Sequence, residues 1–504
     1  MDISNQNLDT TEITIKNNSK TDAKNLWKKD YDDDYQLHAT IFSTDSTTES
    51  DETISVFKKV NIMDLEKRKE LYGVCGECNE PGTGYLWCQP CNAKRFKENF
   101  KNWTSGNKNI DELIQQSQLN AFFCAKCLEW IPFENFENVT YLTRGGFSNI
   151  YSAYWPEGKI GHWDIENQEW IRTSIKVALK SLNNSSNNIS NDFLNEIKYY
   201  ISCHIYAGNT VMCFGITQDP NTKNYMMVLQ YFEGGNLRST LVEDLTLETK
   251  IKYLFFIIDG LSGIHDAGNI HKDFHSGNIL HDNEEDVLSI SDLGMCQPVN
   301  DNERKGIYGV IPYMAPEVLR GYQYTKAADI YSFGIIMNEL MSEKIPYNDI
   351  PHDHFLVVKI CKGFRPKISE DTPKLIVDLI IKCLDAKAEN RPTAKELRQI
   401  LIKYVTETED ENSEISYQIK EYEKIKENKL KNRTNENKSK NLQTHPQAIY
   451  TSRLLNFENL PEPVNSTDYS SSYQEIISSS SANPISECLD CELNELDLNQ
   501  DDDE

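Results

Sequence analysis

Long hydrophobic runs are what this sequence most plainly lacks. Its longest, such as Tyr253-Leu254-Phe255-Phe256-Ile257-Ile258, fall far short of the roughly twenty positions a membrane-spanning helix needs. The opening Met1-Asp2-Ile3-Ser4-Asn5-Gln6 has neither the basic region nor the apolar core of a secretory leader. These absences set the expectation of a soluble intracellular chain, cytoplasmic with the nucleus left open, and without membrane insertion. Positive charge is scarce too. Lys and Arg number 52 against 78 Asp and Glu, a net charge of −26, and such a surface repels phosphodiesters, which argues against nucleic acid as the main partner. Apolar residues make up only 38% of the 504 positions, low for a chain folded throughout. A folded middle between polar, disordered ends resolves that shortage. Thirteen cysteines in such a compartment read as thiols and metal ligands rather than disulfides.

What the sequence does hold is concentrated between Gly268 and Gly294. His271-Lys272-Asp273-Phe274-His275-Ser276-Gly277-Asn278 places an Asn five residues after an Asp, and Asp292 follows within Ser291-Asp292-Leu293-Gly294. That is a layout for phosphoryl transfer. Asp273 can accept a hydroxyl proton, and Asn278 and Asp292 offer the hard oxygens that hold Mg²⁺ against nucleotide phosphates. The apolar stretches Asn278-Ile279-Leu280 and Leu288-Ser289-Ile290, joined by a polar turn, predict a hairpin that brings the two metal-binding residues together.

Upstream, the pairs Cys75/Cys78 and Cys88/Cys91 are two Cys-x-x-Cys knuckles joined through the turn Pro81-Gly82-Thr83-Gly84. Four thiolates at this spacing suit the closed tetrahedron of a structural Zn²⁺ and leave no ligand position open for catalysis; the alternative is a set of reduced thiols. The segment is expected to unfold with chelator while the folded domain after it persists. Cys124/Cys127 and Cys488/Cys491 have no partner pair nearby and read as ordinary thiols. The apolar Leu128-Glu129-Trp130-Ile131-Pro132-Phe133 is expected to dock on the domain that follows.

The catalytic motifs resemble those of eukaryotic protein kinases over roughly residues 139 to 404. Within that group the chain is most similar to the tyrosine-kinase-like branch, and to fungal kinase-like proteins with a short Cys-rich segment before the catalytic domain. The resemblance implies an α+β bilobal fold, with a small, mainly β N-lobe and a larger helical C-lobe. It also implies transfer of the γ-phosphate of ATP to protein hydroxyls, Ser/Thr preferred over Tyr, with a nucleotide-binding scaffold as the alternative. In Ile175-Lys176-Val177-Ala178-Leu179-Lys180, Lys180 would pair the phosphates and Ala178 would line the adenine pocket. Glu196 would be the ion-pair partner of Lys180. The loop Thr143-Arg144-Gly145-Gly146-Phe147-Ser148-Asn149-Ile150 departs from the family's three glycines; Gly145, Gly146, Phe147 and Ile150 would cover the nucleotide. Leu229, Gln230, Phe232 and Leu280 complete that pocket around the turn between lobes. His275 stands where Ser/Thr kinases usually carry Lys, either as a cation or as packing. Asp329 is expected to cap catalytic-loop amides, and Arg391 to pair with Glu317.

Four regions follow: a disordered polar 1–70, a Cys-rich segment and linker 71–136, a kinase domain 137–404, and a charged, Ser-rich, acidic tail 405–504, largely disordered. Within the last, 407–440 reads as a charged spacer, and 487–504 carries nine acids and no basic residue. Protein substrates are implied as partners, and the N-terminal module or the acidic tail would recruit further proteins. No Ser or Thr lies between Asp292 and Ala315, so Tyr308 is the one candidate switch there, Tyr313 being structural in the family.

Overall fold

Alternation with period two builds the smaller lobe. Along 169–182, Val177 and Leu179 turn to one face and are fully buried with Trp155, Phe214 and Val228, while Ala178 and Lys180 turn to the other. The computed structural model describes residues 26–27, 39–40, 60–61, 63–144, 148–182, 189–203, 209–241, 245–299, 306–432 and 444–465. Gly145, Gly146 and Phe147, most of the polar N-terminal region, and the acidic end with Cys488 and Cys491 lie outside the described residues.

Six strands form the sheet: β1 (Glu129–Trp130), β2 (Glu137–Arg144), β3 (Ser148–Asp164), β4 (Glu169–Leu182), β5 (Cys213–Gln218) and β6 (Tyr225–Gln230). Their order is β1-β5-β6-β4-β3-β2, antiparallel throughout except that β1 lies parallel to β5. β1 is the apolar segment that was expected to dock, and it does so as an added strand. Arg172 of β4 holds both Glu129 carboxylate oxygens at 2.8 Å, which ties the new edge across the sheet.

Ahead of the sheet stand α1 (Leu65–Tyr72), α2 (Gln89–Asn99) and α3 (Lys108–Asn120). Asn107 caps α3 by accepting from the Asn109 and Ile110 amides. Ile110, Leu113 and Ile114 make its buried stripe. That stripe shares one core with Phe193, Leu194 and Ile197 of α4 (Asn191–Cys203). Through α3, the segment ahead of the sheet and the domain that follows share a hydrophobic core.

The larger lobe is built around α5 (Leu247–Asp266), capped by Thr246 and apolar on nearly all sides, which suits a central position. Against it pack α6 (Lys326–Ser342) and α8 (Ala394–Thr406); α7 (His354–Cys361) lies beside the short helix Pro316–Leu319. Arg391 grips Glu317 with both guanidinium arms, at 2.7 and 2.8 Å, the pairing expected from sequence.

Past residue 404 the chain is more ordered than its composition implies. The charged spacer contains α9 (Glu414–Asn432), whose Ile415, Ile419 and Tyr422, at i, i+4 and i+7, face the larger lobe. Glu423 of α9 accepts from the Leu247 amide at 2.9 Å, satisfying one of the free donors at the start of α5. Further on, β10 (Arg453–Leu455) pairs antiparallel with β9 (Ile307–Gly309). A handful of apolar side chains in a strongly polar stretch supplies these contacts, which is why composition conceals them.

Candidate active site

Register places the cleft residues. β4 lies between β3 and β6, so Ile150, Lys180 and Met227 form one cross-strand row, and Ser152, Ala178 and Leu229 the next. Opposite them, β7 (Ile279–Asp282) and β8 (Val287–Ile290) form the predicted hairpin, with Leu280 across from Ser289. The turn after β6 is fastened to that hairpin: Gly234 N donates to His281 O at 3.1 Å, and His281 N to Gly235 O at 2.9 Å. The Gln230 amide already donates to Met212 O, so only its carbonyl is left for a nucleotide base; Phe232 follows and is buried.

Glu196 lies on the apolar face of α4, and that face carries its carboxylate inward. Lys180 Nζ sits 2.6 Å from Glu196 and 2.7 Å from Asp292, so one ammonium joins strand, helix and hairpin end. Burial disfavours that charge, but Asp292 and Glu196 outweigh it and hold the amine well above its usual range. Lys180 in turn holds the Asp292 carboxyl below the ordinary carboxylate range. Asp292 adopts a left-handed backbone (φ 56°), and its amide donates to the buried Tyr200 hydroxyl at 3.1 Å. Ser291 N bonds Asn278 O at 2.8 Å, so the hairpin does bring Asn278 and Asp292 together.

The catalytic loop is held from beneath. Asp329 accepts from the His271 and Lys272 amides at 2.8 and 3.1 Å and from His265 at 2.9 Å. Those bonds fix Lys272 in a left-handed conformation (φ 70°) that aims the next residue into the cleft. Asn278 Nδ2 donates to Asp273 O at 2.9 Å. Asp273 Oδ1 is buried with no hydrogen-bond partner among the described residues, in a small cavity also lined by His275, Val310 and Tyr324. Burial raises the Asp273 carboxyl, yet the neighbouring His275, 3.7 Å from Oδ2, brings it below the usual range. His275 is buried. Its Nδ1 accepts from Gly277 N at 3.0 Å, and a side chain at Gly277 would collide with the ring at 2.8 Å.

Sequence reasoning missed a second layer. Ser276 Oγ meets Tyr313 OH and Glu339 Oε1, each at 3.0 Å, and Arg238 reaches Ser276 at 3.3 Å. Burial lifts Glu339 to about 6. Arg238 and Glu339 lie far apart in sequence, and nothing local marks either one.

The four cysteines of the two knuckles converge. Cys75 and Cys91 sulfurs lie 3.9 Å apart and those of Cys78 and Cys88 3.6 Å apart. Ligands about 2.3 Å from a shared tetrahedral centre lie about 3.8 Å from each other, so the cluster is compatible with zinc. The Cys88 thiol pulls Cys75 down to about 5, the same contact pushes Cys88 up, and burial pushes Cys91 up to about 12. One thiolate forms readily, and a cation is what would ionise the others. Cys124 and Cys127 are not in this cluster; they pack beside Trp87.

Residues 136–401 match the family model described as protein tyrosine and serine/threonine kinase. Among curated proteins, the Dictyostelium discoideum protein named "Probable serine/threonine-protein kinase pats1" is 26% identical over 66% of this chain and 10% of its own length. The Caenorhabditis briggsae mitogen-activated protein kinase kinase kinase dlk-1 is 27% identical over 53% of this chain and 28% of its own. Serine/threonine-protein kinase STE20 of Saccharomyces cerevisiae is 26% identical over 61% and 31%. The chain thus spans about a third or less of these relatives. The family match itself runs through both lobes, from the edge of β2 to the last turns of α8, and on that ground the chain belongs to the protein tyrosine and serine/threonine kinase family.

Proposed function

We propose that the chain is an ATP- and Mg²⁺-dependent protein kinase that phosphorylates Ser and Thr hydroxyls of proteins. The observation that carries this reading is the Lys180 ammonium bridging Glu196 and Asp292, with Asp273 held five residues before Asn278 on the loop whose hairpin ends at Asp292. Magnesium-bound ATP supplies the phosphoryl group and its leaving group. Lys180, oriented by Glu196, binds phosphate oxygens, and Asn278 and Asp292 hold the metal. Asp273 orients the acceptor hydroxyl and takes its proton. Ile150, Ala178, Leu229, Phe232 and Leu280 enclose the base, together with the backbone of Gln230. Preference for Ser/Thr is supported by the serine/threonine-protein kinases among the relatives. Placement in the tyrosine-kinase-like branch, beside fungal proteins with a Cys-rich segment, rests on motif resemblance. The four cysteines hold a structural Zn²⁺ on this reading, and the sulfur separations support it.

The test is phosphoamino-acid analysis after incubating the pure chain with labelled ATP, Mg²⁺ and myelin basic protein. Phosphoserine and phosphothreonine are expected, with Asp273→Asn and Lys180→Met each slower by roughly 10²–10⁴ while the chain remains folded. Full activity in either variant, or phosphotyrosine alone, overturns the assignment.

A further inference from the structure

The edge of the activation segment is already covered by this chain's own C-terminal stretch. Ile307, Tyr308 and Gly309 of β9 pair with Leu455, Leu454 and Arg453 of β10. β9 runs directly into Val310, which lines the cavity around Asp273. An extended strand at that edge therefore lies beside the catalytic carboxylate. The covering stretch is anchored at both of its ends, on the larger lobe. At one end, Tyr450 lies over the Arg238 guanidinium, 4.7 Å from its ring centroid, and that same Arg238 reaches Ser276 of the catalytic loop. The Tyr450 hydroxyl donates to Pro346 O at 2.8 Å, and Ile449 N donates to His352 Nδ1 at 3.1 Å. At the other end, Leu455 is buried in the larger lobe's core, and His354 packs on Phe457 at 5.9 Å. Beyond, Glu462 binds Arg320, and Val464 N donates to Cys361 O at 3.0 Å.

We propose that residues 449–457 occupy the docking surface for the protein acceptor, as a tethered competitor that an acceptor must displace. Strand addition to an exposed edge is a general way for a protein to hold an extended peptide, with backbone bonds giving affinity and alternate side chains giving selectivity. The occupant shows what the surface accepts: an aromatic residue stacked on Arg238 and, five positions later, an aliphatic residue in the place of Leu455. The acceptor class that fits is an extended segment with that pair of apolar anchors. Being tethered, the occupant acts at a high effective concentration, so weak contacts suffice to keep the edge closed. The inference rests on the kinase reading for its consequence, since the surface lies beside Asp273.

Two variants of the 504-residue chain test it. Leu455→Asp removes the buried anchor. Glu462→Arg reverses an exposed charge facing Arg320, at a side chain 78% exposed, and so releases the segment without threatening the fold. With myelin basic protein as acceptor, each variant is expected to lower the acceptor KM, by about tenfold for Leu455→Asp, with the KM for ATP unchanged. A synthetic peptide of residues 445–465 should inhibit the Leu455→Asp chain competitively with myelin basic protein and not with ATP. Unchanged acceptor KM in both variants, or inhibition competitive with ATP, overturns the proposal. A second readout needs no turnover: the fluorescently labelled peptide should bind the Asp273→Asn/Leu455→Asp chain and be displaced by myelin basic protein. Binding and displacement without any phosphoryl transfer in active-site-intact protein would sink the kinase reading and leave the docking surface standing. Failure of the peptide to bind sinks the docking surface, whatever the activity.

Discussion

Lys126 is the residue whose chemistry sits least comfortably in its surroundings. It is buried, its ammonium donates to Ile201 O at 2.7 Å near the end of α4, and burial depresses its amine from 10.5 to about 7. Between those values the unfolded chain holds a proton that the folded chain has given up, so stability rises with pH across that window and the full penalty is felt below it. Lys126→Met removes the charge and keeps the apolar stem. Its melting temperature should exceed the parent's most at about pH 6 and converge toward it near about pH 10. A gain that is independent of pH would show that the lysine is charged and satisfied where it stands. The candidate site residues, by contrast, could be singled out one by one, because the phosphoryl transfer proposed for them fixes their types and their order, and the structure brings Lys180, Glu196 and Asp292 together. Lys126 was not, since burial of a lone lysine leaves no trace in local pattern. Arg238 and Glu339 were hidden for the related reason that their partners are remote in sequence.

Among the elements, α3 matters most for the cleft, because it props the helix that carries Glu196. Ile114 is fully buried between α3 and α4. Ile114→Ala should cost about 2–5 kcal/mol in urea unfolding, and it should also slow phosphoryl transfer by loosening the Glu196–Lys180 pair. A stability loss with an unaltered rate would uncouple the prop from the site. The strand β9 yields a different expectation. Tyr308 engages β10 through its backbone register, and Lys272, the cation before Asp273, is already bonded to Gln297 at 2.9 Å and lies over the Tyr324 ring. No guanidinium fork stands at that position to clamp a phosphate. Tyr308→Phe is therefore expected to keep its rate within about twofold, and phosphatase treatment should leave the parent unchanged. A tenfold fall that tracks phosphate at Tyr308 would point to an upstream tyrosine kinase. Elements of strong period, β4 and α4 among them, were readable from the sequence. α9 and β10 were not, because three or four apolar side chains among many charges give a weak signal until a partner surface is present.

At the scale of the whole molecule, the Cys-rich module and the smaller lobe do not behave as separate bodies. The sequence suggests a module that unfolds with chelator while the kinase domain persists, since two knuckles joined by a turn read as self-contained. The packing argues otherwise. Trp87, between the knuckles, stacks on Trp170 of β4 at 5.7 Å, and Phe96 of α2 stacks on the same ring at 5.0 Å. Arg95 lies over Trp163, and the Trp87 indole donates to Ala121 O at 2.7 Å, just past the end of α3. β1 then carries the chain from this module into the sheet beside β5, and Tyr225 OH of β6 donates to Ser105 O at 3.1 Å. Losing the order of the four cysteines would expose Trp87 and Phe96 and loosen α2 and α3, and with them the support of α4. We therefore expect a zinc-selective chelator to lower the melting temperature of the whole smaller lobe and to weaken nucleotide binding in parallel, with Cys88→Ser doing the same. Melting followed by tryptophan fluorescence and by binding of a fluorescent ATP analogue would report both. An early transition confined to the cysteine segment, with nucleotide affinity intact, would restore the picture of an independent module. Coincident transitions would mean that the four-cysteine cluster, far in sequence from Lys180 and Glu196, belongs to the same cooperative unit as that pair.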